Sequence, residues 1–339
     1  MGVSLKDIAE QLHLSKTTVS WVLSGQGNKK GISAETQHRV FRCAEEMAYE
    51  PNLLARSLNT GISKTIGLIL PSISDCFYAH LAQRIETEAE RAGYSLMIAG
   101  SNAEIERESA MLRLFCSKKV DGIIIAPTKI SQREILRMLG LDYPLLFFDR
   151  YFPEMEANHV IIDNKESSYR LVYHLIEKGF RKIAILTTDP HLLTMNLRYE
   201  GYADALADAE IRIDPALYGE VPSADYRTNI DRTLDRIFET APDVEGFFFT
   251  THILAVEALR YFHDRGIDIN SGKYGLACMH EDSLFRILAP KMNIARFPIE
   301  EIGRHAVRML LEQIECKSRN ATFVPESKVL SCEIDFRDS

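Results

Sequence analysis

The polar residues best placed for chemistry sit at the ends of apolar runs. Ser72 follows TIGLILP, Asp149 and Arg150 follow PLLFF, Thr251 and His252 follow GFFFT, and His280 and Glu281 follow YGLACM. Carboxylates there accept hydrogen bonds, guanidiniums donate them, and imidazoles do either. The nearest approach to a catalytic cluster is His280-Glu281-Asp282, a contiguous triplet that reads better as a strand end. The chain has no GxSxG elbow, no HExxH, no phosphate-cradling glycine loop and no His/Cys set with metal-ligand spacing. That pattern predicts a binding protein with no catalytic residue, cofactor or metal.

A second polar set lies near the N-terminus, in LKDIAEQLHLSKTTVSWVLSG. Leu5, Ile8, Ala9 and Leu12 recur at helical spacing, so one face of a short first helix is apolar. His13-Leu14 turns the chain, and Ser15 is suited to cap a second helix by accepting an orphaned backbone N–H. Val19, Val22 and Leu23 then face inward, leaving Lys16, Thr17, Ser20, Trp21 and Ser24 outward. Two short helices joined by a tight turn, the second with polar and aromatic side chains outward, are the pattern of a helix-turn-helix. Ser33 caps a third helix whose predicted buried stripe is Val40, Phe41, Ala44, Met47 and Ala48. Between the second and third helices, Gly27-Asn28-Lys29-Lys30-Gly31 is expected to be a mobile loop whose lysines could reach phosphates. Pro51 is suited to open one further short helix, ending near Gly61, too short to be stable in water without a partner surface.

From Thr65 onward, apolar runs alternate with amphipathic stretches. TIGLILP, YSLMIAG, DGIIIAP and PLLFFD alternate with helices predicted over 77–92, 104–118 and 131–140. A second series begins at HVIID and continues through KIAILTT, GFFFT and YGLACMH, with helices over 164–178, 194–209 and 252–265. Such alternation indicates βαβ units with both sheet faces covered, hence an α/β body of two doubly wound parallel lobes behind an all-α N-terminal module. Ligands of such sheets lie beyond the carboxyl ends of the strands, where the polar residues named above converge.

Taken together, LKDIAEQLHLSKTTVSWVLSG, ETQHRVFRCAEEMAYEPNLLARSL and TIGLILPSISDCFY resemble the LacI/GalR family of transcription regulators, over essentially the whole chain. The resemblance implies a helix-turn-helix domain over 1–50, a hinge helix and linker over 51–62, and an effector-binding and dimerisation domain over 63–339. The last would have one lobe over 63–158 and 294–323, and another over 159–293 and 324–339. Lys16, Thr17 and Trp21 would read bases, and Ser4, Thr18 and Ser20 would hold phosphates. Leu5, Asn28, Lys29 and Lys30 are further candidates for the DNA face. Of the hinge residues Asn52, Ala55 and Leu58, the leucine would wedge into the minor groove, a contact that costs a few kcal/mol of unstacking. The body would take the periplasmic sugar-binding fold. NLRYEGYADAL matches the family's RxxGFxxAL pattern and places Arg198 on the effector, with Phe77 and Tyr78 lining the pocket beside Ser72, Asp149, Arg150, Thr251, His252 and His280. The expected protein is a homodimer that binds pseudo-palindromic operator DNA and controls carbohydrate-utilisation genes through a sugar-type effector. A nucleobase or sugar phosphate effector, activation in place of repression, and a solute-binding protein are the alternatives. Thr251-His252 and His280 replace acidic or amide residues usual in the family, which favours an acidic sugar or sugar phosphate, bound more tightly as pH falls through the histidine range at ~6.5, with a neutral oligosaccharide that takes a hydrogen bond from His280 as the alternative.

Composition agrees with this division. Of the net charge of −8, residues 1–63 carry +1 and the rest −9, so a nearly neutral module adjoins an acidic body. Cys43, Cys76, Cys116, Cys278, Cys316 and Cys332 are scattered without a CxxC pair, which predicts buried thiols in a reducing compartment. With no apolar leader and no run long enough to span a bilayer, a cytoplasmic protein without membrane contact is expected.

Overall fold

The computed structural model describes residues 3–49, 61–128 and 133–337. It divides into two compact units, Met1–Ser63 and Lys64–Ser339. In the first, α1 (Leu5–Leu12), α2 (Lys16–Leu23) and α3 (Ala34–Glu46) enclose a small core of Ile8, Ala9, Val19, Val22, Val40, Cys43 and Ala44. Ser15 and Ser33 cap α2 and α3 as expected, accepting from Thr18 and Thr36 N–H. His13 ends α1 in the left-handed region at φ 53°, which sets the tight turn. The stripe of α3 is narrower than its periodicity predicts. Phe41 is 49% exposed and Ala48 lies beyond the helix end, so neither belongs to the core.

The second unit contains two six-stranded sheets. The first comprises β1 (Thr65–Leu70), β2 (Ser95–Gly100), β3 (Gly122–Ile125), β4 (Leu145–Phe148), β5 (Asn158–Ile162) and a late strand, β11 (Ser327–Leu330). Its order is β11-β5-β4-β3-β1-β2, and every neighbouring pair is parallel. The helices α4 (Cys76–Arg91), α5 (Ile105–Ser117), α6 (Arg133–Leu139) and, after an excursion, α12 (Ile299–Ser318) belong to this lobe.

The other sheet holds β6 (Ile183–Thr187), β7 (Tyr218–Glu220), β8 (Gly246–Phe249), β9 (Gly275–Met279), β10 (Asn293–Arg296) and β12 (Glu333–Asp335) in the order β12-β10-β9-β8-β6-β7. Only β12 runs antiparallel to its neighbour. Around it lie α7 (Asn164–Glu177), α8 (Leu193–Asp208), α9 (Tyr226–Thr240), α10 (His252–Asp264) and the short α11 (Phe285–Leu288). Buried strands such as Ile183–Thr187 and Gly246–Phe249 carry no polar alternation because helices cover both faces. At Gly201 of α8 an added Cβ would lie 2.2 Å from the Lys165 carbonyl oxygen, so glycine permits the close approach of α7.

The lobe boundaries differ from the sequence expectation. The strand Asn158–Ile162 pairs with β4 and β11, so the chain leaves the first lobe after 162, not 158. The strand Asn293–Arg296 pairs with β9 in the other lobe, so the return follows residue 296, and β11 at 327–330 again belongs to the first sheet. The cause is that a buried strand paired on both sides carries the same apolar signature in either sheet. Of the cysteines, Cys43, Cys278 and Cys332 are buried, but Cys76, Cys116 and Cys316 are only half-buried. Among the described residues no helix is long and apolar enough to cross a membrane.

Candidate functional site

In each sheet the strand order reverses beside its first strand, at β1/β3 and at β6/β8. A crevice forms at such a switch point outside the carboxyl ends. The chain places a cleft there, between the lobes of the second unit. The first lobe contributes Asp75, Phe77 and Tyr78 from the start of α4, and Asp149 and Arg150 after β4. The other contributes Thr188 and Asp189 after β6, Arg198 from α8, Thr251 and His252 at the start of α10, and His280 after β9. Phe297 and Tyr226 close the walls.

Arg198 is 3% exposed. Its Nε donates to Asn164 Oδ1 at 2.8 Å, its Nη1 to the Thr250 carbonyl at 2.5 Å, and its guanidinium lies 5.5 Å from the Phe297 ring centroid. Two anchored nitrogens fix the plane of the group and leave Nη2 for a ligand. Burial alone lowers its pKa. Across the cleft, Tyr78 Oη donates to Asp149 Oδ2 at 2.7 Å, and the Arg150 guanidinium lies 3.7 Å from the same oxygen. Thr194 Oγ1 donates to the Asp149 carbonyl at 3.0 Å, joining the lobes directly.

The two histidines have opposite charge states. Burial opposes the imidazolium of His252, but the Asp75 carboxylate 3.5 Å away and Cys76 outweigh it and hold the pKa up at about 9. Burial would also raise Asp75, yet His252 and the N–H groups of Phe77 and Tyr78 keep it below its ordinary value. Burial, reinforced by the charge on His252, pushes His280 down to about 3. His280 is therefore a neutral ring at neutral pH, packed 5.1 Å from Phe77 and 4.7 Å from Phe297. Both Asp149 (φ 59°) and His280 (φ 76°) sit in the left-handed region, a strained backbone of the kind that collects at binding sites.

Of the expected effector residues, Phe77, Tyr78, Asp149, Arg150, Arg198, Thr251, His252 and His280 line this cleft. Ser72 does not. Its hydroxyl lies 3.0 Å from that of Ser74, and the chain reaches the wall only at Asp75, three residues further on. Glu281 turns away to ion pairs with Arg337 at 2.6 Å and Arg296 at 3.2 Å. Sequence reasoning missed Asp75, Thr188, Asp189, Tyr226 and Phe297. Asp75 was visible as the N-cap of α4, and Thr188-Asp189 as the polar end of KIAILT; Tyr226 gave no signal.

In the first unit, Lys16 and Thr17 are exposed at the start of α2, with Ser20 and Trp21 half-buried one turn on. Lys30 Nζ lies 5.0 Å from the Trp21 ring, a cation–π contact that covers part of the indole. Thr18 shares a hydrogen bond of 2.8 Å with the Ser15 hydroxyl, and Ser4 forms a capping box with Asp7, so both hydroxyls already have partners. Leu5 is half-buried against the core of this unit. The 27–31 segment is a hydrogen-bonded turn, contrary to the expected mobile loop. Gln37 Nε2 donates to Asn28 Oδ1 and to the Ile32 carbonyl, both at 2.8 Å, while Ile32 N–H closes on the Gly27 carbonyl. Lys29 and Lys30 remain exposed on it. Asn52, Ala55 and Leu58 lie outside the described residues.

Comparison with known proteins gives two family matches. Residues 4–52 match "Bacterial regulatory proteins, lacI family", and residues 63–331 match "Periplasmic binding proteins and sugar binding domain of LacI family". The ribose operon repressor of Halalkalibacterium halodurans is 30% identical over 93% of this chain and 91% of its own length. The HTH-type transcriptional repressor PurR of Aliivibrio fischeri is 28% identical over 93% of this chain and 92% of its own. Among solved structures, the lac repressor dimer bound to operator and the anti-inducer ONPF aligns over 100% of this chain and 99% of that one, with a TM-score of 0.84 at 19% identity.

Proposed function

Because the chain belongs to the LacI family of DNA-binding transcription regulators, we propose that it acts as a homodimeric repressor of carbohydrate-utilisation genes, controlled by a neutral sugar in the interlobe cleft. A dimer is required on physical grounds. One short module offers few base contacts, and two recognition helices on a pseudo-palindrome double the readout. Lys16, Thr17 and Trp21 read bases in each half-site, with Lys29 and Lys30 facing phosphates.

The charge balance of the cleft carries the effector assignment. Asp75, Asp149 and Asp189 offset Arg150, Arg198 and the His252 imidazolium, and His280 is neutral. A site of alternating acceptors and donors with no net charge suits a polyhydroxylated ligand, whose hydroxyls both donate and accept. Phe77, Tyr78, Tyr226 and Phe297 offer ring faces for its C–H surface. The acidic sugar favoured by the replacement of family carboxylates loses its basis, since Asp75 and Asp189 restore negative charge. A nucleobase is the second reading, supported by those same aromatic faces.

The test is a thermal-shift and calorimetric panel of neutral mono- and disaccharides, sugar phosphates, purines and nucleosides. A ligand at a hundred times its Kd stabilises the body by about 2.7 kcal/mol. A neutral sugar should do so for the native chain and not for Arg198→Met, while both bind operator DNA. Stabilisation by sugar phosphates alone would overturn the neutral assignment.

A further inference from the structure

Against one wall of the cleft, side chains from distant stretches converge on a point that effector binding leaves unexplained. Asp75 and Cys76 sit at the start of α4 in the first lobe, and His252 opens α10 in the other. One donor atom from each, a carboxylate oxygen, Cys76 Sγ and an imidazole nitrogen, lie within 4.8 Å of one another. Asp282, in the loop after β9, brings Oδ2 to 3.7 Å from Cys76 Sγ. Beside them the His280 ring, 6% exposed and 5.1 Å from that of His252, has an Nδ1 without a partner among the described residues.

We propose that Asp75, Cys76, His252 and Asp282 form a binding site for a zinc-class divalent cation that ties the two lobes together. The donor set decides the class of ion. A thiolate and an imidazole are poor ligands for magnesium or calcium and good ones for Zn²⁺ or Co²⁺. Geometry supports it as well. Ligands at zinc bond lengths on a tetrahedron stand roughly 3.3–3.8 Å apart. The Asp75–His252 pair at 3.5 Å and the Cys76–Asp282 pair at 3.7 Å already meet that spacing, and the widest separation in the trio needs to close by only about 1 Å. On binding, the Cys76 thiol proton and the His252 imidazolium proton leave to solvent, and two carboxylates and a thiolate face the ion.

Two ligands come from each lobe, so the ion favours the closed cleft by its differential affinity for that state. Because Asp75 and His252 also line the cleft, the ion changes effector affinity. That coupling rests on the cleft being the effector site, whereas ion binding itself does not.

Titration of the chelator-treated full chain with Co²⁺ tests the site. The expected result is one ion per chain, with a thiolate charge-transfer band and tetrahedral d–d bands that Zn²⁺ displaces. Cys76→Ser should abolish the charge-transfer band, and Asp282→Asn, which keeps the Oδ1 bond to Leu284 N–H, should weaken binding at least tenfold. Replacing the half-buried Cys116 and Cys316 by serine should leave the band intact. Absence of the band, or an identical band in Cys76→Ser, overturns the proposal. The sugar panel repeated with and without Zn²⁺ separates loss of this site from failure of the effector assignment.

Discussion

Glu108 is a carboxyl group buried behind the strand ends of the first lobe, and replacing it by glutamine should make the body's stability less dependent on pH. The residue is 0% exposed; Oε2 accepts from Thr128 N–H at 2.8 Å and from the Thr128 hydroxyl at 2.5 Å, while Oε1 has no partner among the described residues. Burial outweighs those two bonds and raises its pKa from 4.5 to about 7. A carboxyl raised in the folded state holds a proton that the unfolded chain has already released. Its stabilising contribution is complete below pH 4.5 and is lost as pH rises through 7. The difference in pKa corresponds to about 3 kcal/mol between pH 4 and pH 8. In Glu108→Gln the amide oxygen keeps the Thr128 bonds and no charge is ever buried. Thermal unfolding of the body from pH 4.5 to 8 should therefore show the native chain losing several degrees more than the variant. Parallel profiles for the two proteins would refute the argument.

Three further outcomes are expected. Gly201→Ala places a methyl 2.2 Å from the Lys165 carbonyl and should cost about 1–3 kcal/mol by forcing α7 and α8 apart, read as a lower Tm; an unchanged Tm would mean the helices yield freely. Trp21→Arg should shift operator selection towards guanine at one position per half-site, worth roughly 1–3 kcal/mol, and an unaltered consensus from a random DNA pool would remove Trp21 from the base-reading face. Effector affinity in the Glu108→Gln background should stay flat from pH 5.5 to 7.5, because His252 titrates at about 9 and His280 at about 3; a tenfold change centred near 6.5 would contradict both assignments.

The elements were legible because each obeys a local rule. Apolar runs such as GIII and GFFF are strands buried on both faces, and Ser15 and Ser33 mark helix starts by capping chemistry. What failed was non-local. Nothing within HVIID says which sheet it joins, and nothing in GNKKG says that Gln37 will lock its turn. Of the nine expected effector residues eight line the cleft: Asp149, Arg150, Thr251, His252 and His280 because strand ends converge at a switch point, and Phe77, Tyr78 and Arg198, on helices, where the family resemblance put them. Their charge was not legible, since it depends on Asp75 meeting His252 across the lobes. The same distance hid the Asp75-Cys76-His252-Asp282 cluster, which no motif spacing encodes.

The account stands most directly on how the full chain binds DNA. Selection of a preferred sequence from a random pool, followed by footprinting and measurement of mass in the complex, reads sequence preference, symmetry and stoichiometry together. The expected result is two protected half-sites related by a pseudo-twofold axis, occupied by two chains and altered in affinity by the ligand that stabilises the body. Protection of a single unrepeated half-site by one chain, or no sequence preference at all, would contradict it.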